Sequence, residues 1–132
     1  MFRELDDRWI LNLRGEHVDS VVRSAALVIY LDGGAEITVS GDALVSKGSI
    51  WAPGSTALRV ADMTDEELQE LAGSTVFSAV AFKSGSLRIV FSTAHHLNVC
   101  ASNEKASARV RQPGSYEWSC HDQSVEMVVH DS

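Results

Sequence analysis

A chain of 132 residues fits one domain, and that size lets it bury roughly 68% of the surface its unfolded form exposes, without disulfide or metal staples. Apolar residues make up 45% and charged residues 22%, an ordinary globular balance, and no apolar run approaches the ~20 residues of a membrane-spanning helix. The formal charge of −7, with scattered basic residues of which Arg109 and Arg111 are the tightest group, argues against a nucleic-acid partner.

The N-terminus, Met1 to Arg8, carries both signs of charge and lacks the basic start and apolar stretch of a secretory leader. The expectation is a cytoplasmic protein, with Cys100 and Cys120 as reduced thiols. From Val18 onward the chain reads as strands. Val18, Ser20 and Val22 alternate with Asp19 and Arg23, and Leu27, Ile29 and Leu31 alternate with Val28 and Tyr30. That period of two marks half-buried strands. Asp32-Gly33-Gly34 between two such runs predicts a hairpin, with Ile37 and Val39 on the returning strand. Pro53-Gly54-Ser55 predicts a further turn.

A single short helix is expected over about 64–72. Thr64 and Glu67 have the spacing of a capping box. Met63 and Leu68 stand where a hydrophobic staple forms, and Gly73 is placed to end the helix. Leu68, Leu71 and Ala72 give it a narrow apolar face, so it must dock on the sheet to be stable.

Beyond the helix the chain repeats itself. Leu13, Gly15, Val18, Ser20 and Val22 recur as Leu71, Gly73, Val76, Ser78 and Val80. After a loop two residues longer, Leu27, Ile29, Leu31, Ile37 and Val39 recur as Leu87, Ile89, Phe91, Leu97 and Val99. The register then lays Pro53-Gly54-Ser55 on Pro113-Gly114-Ser115 and Leu58 on Trp118. Ser92-Thr93-Ala94-His95 stands where the first copy has its glycine turn, and is a weaker turn signal. The last strand is expected over Val125 to Val129. Copies of about 60 residues are too long for a solenoid repeat. The expected fold is mainly β: one domain over 1–132, with duplicated antiparallel meanders over about 11–62 and 71–130, packed as a sandwich or a partly open barrel. Trp118 and most other aromatic residues read as core; Tyr116 is either core or an interface anchor.

The residues carry little chemistry. His95, His96, Cys100, Cys120, His121 and His130 gather in the second copy, but no C-x-x-C or H-E-x-x-H spacing occurs. Adjacent His95 and His96 point to opposite faces of a strand. There is no G-x-S-x-G elbow, and Gly33-Gly34 is not followed by a helix as a phosphate loop requires. The acidic residues Asp62, Asp65, Glu66, Glu67 and Glu70 cluster on and beside the helix, where the simplest reading is a solvated face. No enzyme activity, cofactor or metal is expected.

The motif L-x-G-x-x-V-x-S-V at Leu13, Gly15, Val18, Ser20 and Val21, the turn at Gly33-Gly34, and G-x-L-x-L-x-F at Gly85, Leu87, Ile89 and Phe91, followed by Leu97 and Val99, resemble a bacterial β-rich family known only as a domain of unknown function. The resemblance covers roughly residues 11 to 129. The chain departs from the family at Ser92-Thr93-Ala94, where an Asp-Gly turn is usual, and at Lys105-Ala106-Ser107-Ala108, near the place of a Tyr-Glu-Ala-Trp stretch. These motifs are strand and turn positions and speak to fold. Small acidic β-proteins of this type look like immunity proteins, a fold-level analogy. It implies a protein partner, a toxin domain blocked by occlusion. Asp62, Asp65, Glu66, Glu67, Glu70 and Tyr116 are the expected contacts, with electrostatic steering of a basic partner. The alternative is a self-associating structural or regulatory β-domain pairing through a strand edge. A small-ligand site would require a pocket with converging polar groups.

Overall fold

A computed structural model describes residues 2–48, 54, 56–100, 105–122 and 124–130. Among the described residues thirteen strands run in chain order: β1 (Arg3–Glu4), β2 (Arg8–Ile10), β3 (Val18–Arg23), β4 (Ala26–Leu31), β5 (Glu36–Ser40), β6 (Leu44–Lys47), β7 (Ala57–Arg59), β8 (Val76–Phe82), β9 (Leu87–Phe91), β10 (His95–Val99), β11 (Ala108–Gln112), β12 (Tyr116–His121) and β13 (Ser124–Val129). A 3-10 turn (Val60–Asp62) and one helix, α1 (Asp65–Gln69), lie between β7 and β8. The strands form two open antiparallel sheets. Sheet 1 has the order β1-β2-β8-β9-β10-β6-β7, and sheet 2 the order β13-β12-β11-β5-β4-β3.

The repeat seen in the sequence is a repeat of strands, and the two copies exchange hairpins. The first copy gives the meander β3-β4-β5 to sheet 2 and then sends β6-β7 to sheet 1. The second gives β8-β9-β10 to sheet 1 and sends β11-β12 to sheet 2. The registers correspond. Val45 lies between Leu97 and Leu58, and Val110 lies between Ile37 and Trp118. Ile37 and Leu97 are equivalent in the two copies, and so are Leu58 and Trp118. The copies meet at an antiparallel bridge between His17 and Thr75. Beside it the Val18 amide donates to the Ser74 carbonyl and the Val76 amide to the Glu16 carbonyl, both at 2.8 Å. Each of these bonds is the counterpart of the other, so an approximate two-fold axis passes through this point.

Local geometry repeats as well. Both first strands of the meanders carry a bulge, between Val18 and Ser20 and between Val76 and Ser78. Both meander turns close the same way. The Gly34 amide donates to the Leu31 carbonyl and the Ala94 amide to the Phe91 carbonyl, each at 3.0 Å. This turn needs a left-handed residue, and φ is +95° at Gly34 and +70° at Ala94. The second turn therefore forms without glycine, at a steric cost glycine would not incur. Gly114, with φ +76°, turns β11 into β12 as its Pro-Gly sequence predicts. Trp51, Pro53 and Ser55, the rest of the equivalent turn in the first copy, lie outside the described residues.

One hydrophobic core fills the space between the sheets. Leu27, Ile29 and Ile37 of sheet 2, and Leu87, Ile89, Phe91 and Leu97 of sheet 1, are fully buried in it, with Trp118 and Tyr116 as its largest members. Burying each such side chain contributes about 1.5–3 kcal/mol. Phe77 is an exception among the aromatics, at 53% exposed. It sits inside the bulge of β8, where the extra residue is thrown out of register and off the inner face. Val125 and Met127 of β13 pack against the core, as their alternation implies. Val129, on the same face, is exposed at the open edge of sheet 2.

The helix is shorter than the 64–72 expected. Its capping box forms as predicted, but it ends at Gln69. The Glu70, Leu71 and Ala72 amides each return to a carbonyl three residues back, at 3.3, 3.1 and 3.0 Å. The chain thus tightens into 3-10 turns before Gly73.

Candidate functional site

The acidic cluster is gathered at the corner where the chain crosses from the first copy to the second. Its rigidity comes from three fixings. First, the Thr64 hydroxyl accepts from the Glu67 amide at 3.1 Å, and the Glu67 carboxylate accepts from the Thr64 amide at 2.9 Å. That amide bond holds the Glu67 carboxyl below its usual pKa. Second, Arg23 at the end of β3 reaches under the helix start. It donates to the Val60 carbonyl at 3.1 Å, to the Met63 carbonyl, and to the Asp65 carboxylate at 2.8 Å. Third, the Gln69 amide donates to the Val21 carbonyl at 3.1 Å. Beneath these bonds Met63, Leu68 and Leu71 are buried, which gives the short helix the docking it needs.

The charges at this corner are partly offset. Asp65 pairs with Arg23. Asp62 pairs with Arg59 at 3.0 Å, and Arg59 also meets Asp42 at 3.3 Å. Glu70 approaches His95 Nε2 at 3.3 Å, while the Thr93 hydroxyl lies 2.7 Å from His95 Nδ1. Burial lowers the pKa of His95. Glu70 opposes that shift and Lys47 adds to it, so the imidazole is neutral at physiological pH. In the tautomer that serves both neighbours, Nε2–H faces Glu70 and Nδ1 accepts from Thr93. Glu66 makes no ion pair with any described residue and stands exposed. Asp62, Asp65, Glu66, Glu67 and Glu70 therefore share one surface, but Arg23 and Arg59 neutralise part of its field.

Tyr116 does not belong to this surface and is corrected as a contact. It is 0% exposed, packs edge-on against Phe2 with ring centroids 5.2 Å apart, and lies deep in the core. Burial raises the pKa of its phenol, with the nearby Glu16 carboxylate adding to the shift. Cys100 is exposed and Cys120 buried, and no disulfide joins them. Burial also raises the Cys120 pKa, which disfavours the reactive thiolate. Among the described residues no group of three or more His, Cys, Asp or Glu is placed to hold a metal ion. No described helix is long and apolar enough to cross a membrane.

A second surface escapes a reading of the sequence. On the outer face of sheet 1, Arg88, Asn98, Leu44 and Arg59 are direct cross-strand neighbours on β9, β10, β6 and β7. They line a half-open groove of about 360 Å³. No local motif announces it, because its floor is drawn from strands scattered along the chain.

The model of a family of unknown function, DUF6188, matches residues 9–124. The chain belongs to that family. The DUF6188 match begins in β2 and ends at the start of β13, so it takes in both copies and their exchanged hairpins. No curated protein and no solved structure matches the chain.

Proposed function

We propose that this DUF6188 protein is a protein-binding module, an immunity protein that neutralises an antibacterial toxin domain by covering its basic substrate groove. The observation that carries the reading is the fixed acidic corner. Asp65, Glu66 and Glu67 are presented on a capped, clamped helix, so little backbone freedom is lost on binding. The net charge of −7 adds a long-range field that speeds encounter with a basic partner. A small, acidic, mainly β chain also accords with a binding role.

The test is affinity purification of the tagged protein from its host, followed by association kinetics with the recovered partner. One stoichiometric partner is expected. Glu66→Lys combined with Glu70→Lys should slow association at low salt by about tenfold or more, in the manner of steered complexes. Unchanged kinetics remove the acidic corner from the mechanism, and recovery of the protein alone removes the toxin reading.

A second reading is self-association, and β13 favours it. This six-residue strand is an open edge of sheet 2, and Val128 and Val129 on it are exposed. Uncovered edges of this length are templates for pairing with another chain. A solution mass that doubles with concentration, and stays monomeric in Val128→Lys, would establish it.

A further inference from the structure

We infer that the groove on the outer face of sheet 1 binds a small organic carboxylate with an apolar body, through Arg88 and Asn98. The proposal does not depend on the acidic corner; Arg59, which pairs with Asp62 there, lies at the far end of the groove.

The floor of the groove is the row Arg88–Asn98–Leu44–Arg59. Direct pairing puts these side chains on one face of the sheet, and three strand spacings make the row about 14 Å long. Phe82 and Val99 add apolar wall. A volume near 360 Å³ falls within the ~300–1,000 Å³ of small-molecule sites, which are mostly apolar with a few fixed polar groups.

Two of those polar groups lack what a carboxylate supplies. The first is Arg88, which makes no ion pair with a carboxylate among the described residues. Its guanidinium lies 6.0 Å from the Phe82 ring centroid, and Arg8 lies 4.7 Å from the same centroid. The aromatic face orients the guanidinium but does not neutralise it. Arg59, at the far end of the row, differs because Asp42 and Asp62 already engage it. The second group is Asn98. Its side-chain amide nitrogen is buried and has no hydrogen-bond acceptor, a costly state that an incoming oxygen would relieve. Asn98 and Arg88 stand directly opposite each other on adjacent strands. A planar carboxylate is matched to such a guanidinium and gains charge-assisted hydrogen bonds there. The ligand's apolar body would lie along Leu44 and Phe82. In a protein with net charge −7, a groove lined by Arg88, Arg59 and the Arg59-paired Asp42 carries a local excess of positive charge that favours anions.

The experiment is a titration of the ¹⁵N-labelled full chain with 3-phenylpropionate, followed by NMR. Its neutral amide, 3-phenylpropionamide, and inorganic phosphate serve as the other arms. Saturable binding in about the millimolar range or tighter is expected, with the Asn98 side-chain amide and the Arg88 backbone amide among the resonances that move. The neutral amide should bind about tenfold more weakly or worse, as should 3-phenylpropionate to Arg88→Gln. Arg59→Gln should matter less. Arg88 is exposed, so the variant keeps its fold, which far-UV circular dichroism checks. Absence of saturation, equal affinity for the neutral amide, or an unchanged affinity in Arg88→Gln overturns the proposal. Phosphate binding as tightly as 3-phenylpropionate overturns its apolar half and leaves a bare anion site.

Discussion

The two copies of the repeat share a backbone plan and differ in what surrounds it. Leu58 on β7 and Trp118 on β12 hold equivalent positions, paired with the equivalent residues Val45 and Val110. Yet Leu58 is 40% exposed and Trp118 is 0% exposed. The difference comes from the neighbour. β7 ends its sheet, whereas β12 has β13 beyond it and Phe2 packed on Tyr116 nearby. Equivalent registers thus do not make equivalent energies, because a position is worth what its sheet places around it.

The comparison is most sharply tested at that pair. Trp118→Ala should cost about 3–5 kcal/mol, the range for emptying a large buried site. Leu58→Ala should cost less than about 1 kcal/mol, because a half-exposed edge side chain has little burial to lose. Denaturant unfolding of both variants measures the difference, and equal losses would contradict the environmental account.

The meander turns give the next largest effect. Gly34→Ala places a side chain at φ +95° and should destabilise by about 1–2 kcal/mol. Ala94→Gly should do the reverse. It relieves the strain at φ +70°, but offsets part of the gain through glycine's extra freedom when unfolded. A net stabilisation below about 1 kcal/mol is expected, read as a rise in the melting temperature.

The smallest effect concerns pH. His95 is buried in the second copy, and the equivalent position in the first is Ala35, which cannot titrate. The folded-state pKa of His95 is lowered by burial, with Lys47 reinforcing and Glu70 opposing. Below the ordinary histidine value of about 6.5 the unfolded chain takes up the proton more readily than the folded one. Stability should therefore fall as pH drops from that value towards the folded-state pKa. His95→Gln should flatten this part of the stability profile, measured by denaturant unfolding between pH 7 and about pH 5.

Much of the fold is legible because its signals are local. Alternating Leu27, Ile29 and Leu31, the turn glycines and the Thr64–Glu67 spacing each speak within a few residues. The exchange of hairpins is not legible, because the pairing of β5 with β11 depends on long-range contacts and no short window contains both. Phe77 misleads for a similar reason: its alternation is ordinary, and only the bulge turns it outward. At the acidic corner the carboxylates and their cap can be read from the sequence. Their partners Arg23 and Arg59 cannot, since Arg23 comes from β3 and Arg59 from β7. The groove is the extreme case. Arg88, Asn98, Leu44 and Arg59 become neighbours only once the strand order is known.

The exchanged hairpins also bear on how the chain is made. During synthesis β3, β4 and β5 emerge early, but the inner edge of β5 stays open until β11 follows. That strand belongs to the far end of the second copy. Until then an unpaired row of amides and carbonyls is available to any passing strand. The first copy cannot finish folding ahead of the second, and the edge of β5 stays unprotected while the residues between it and β11 are synthesised.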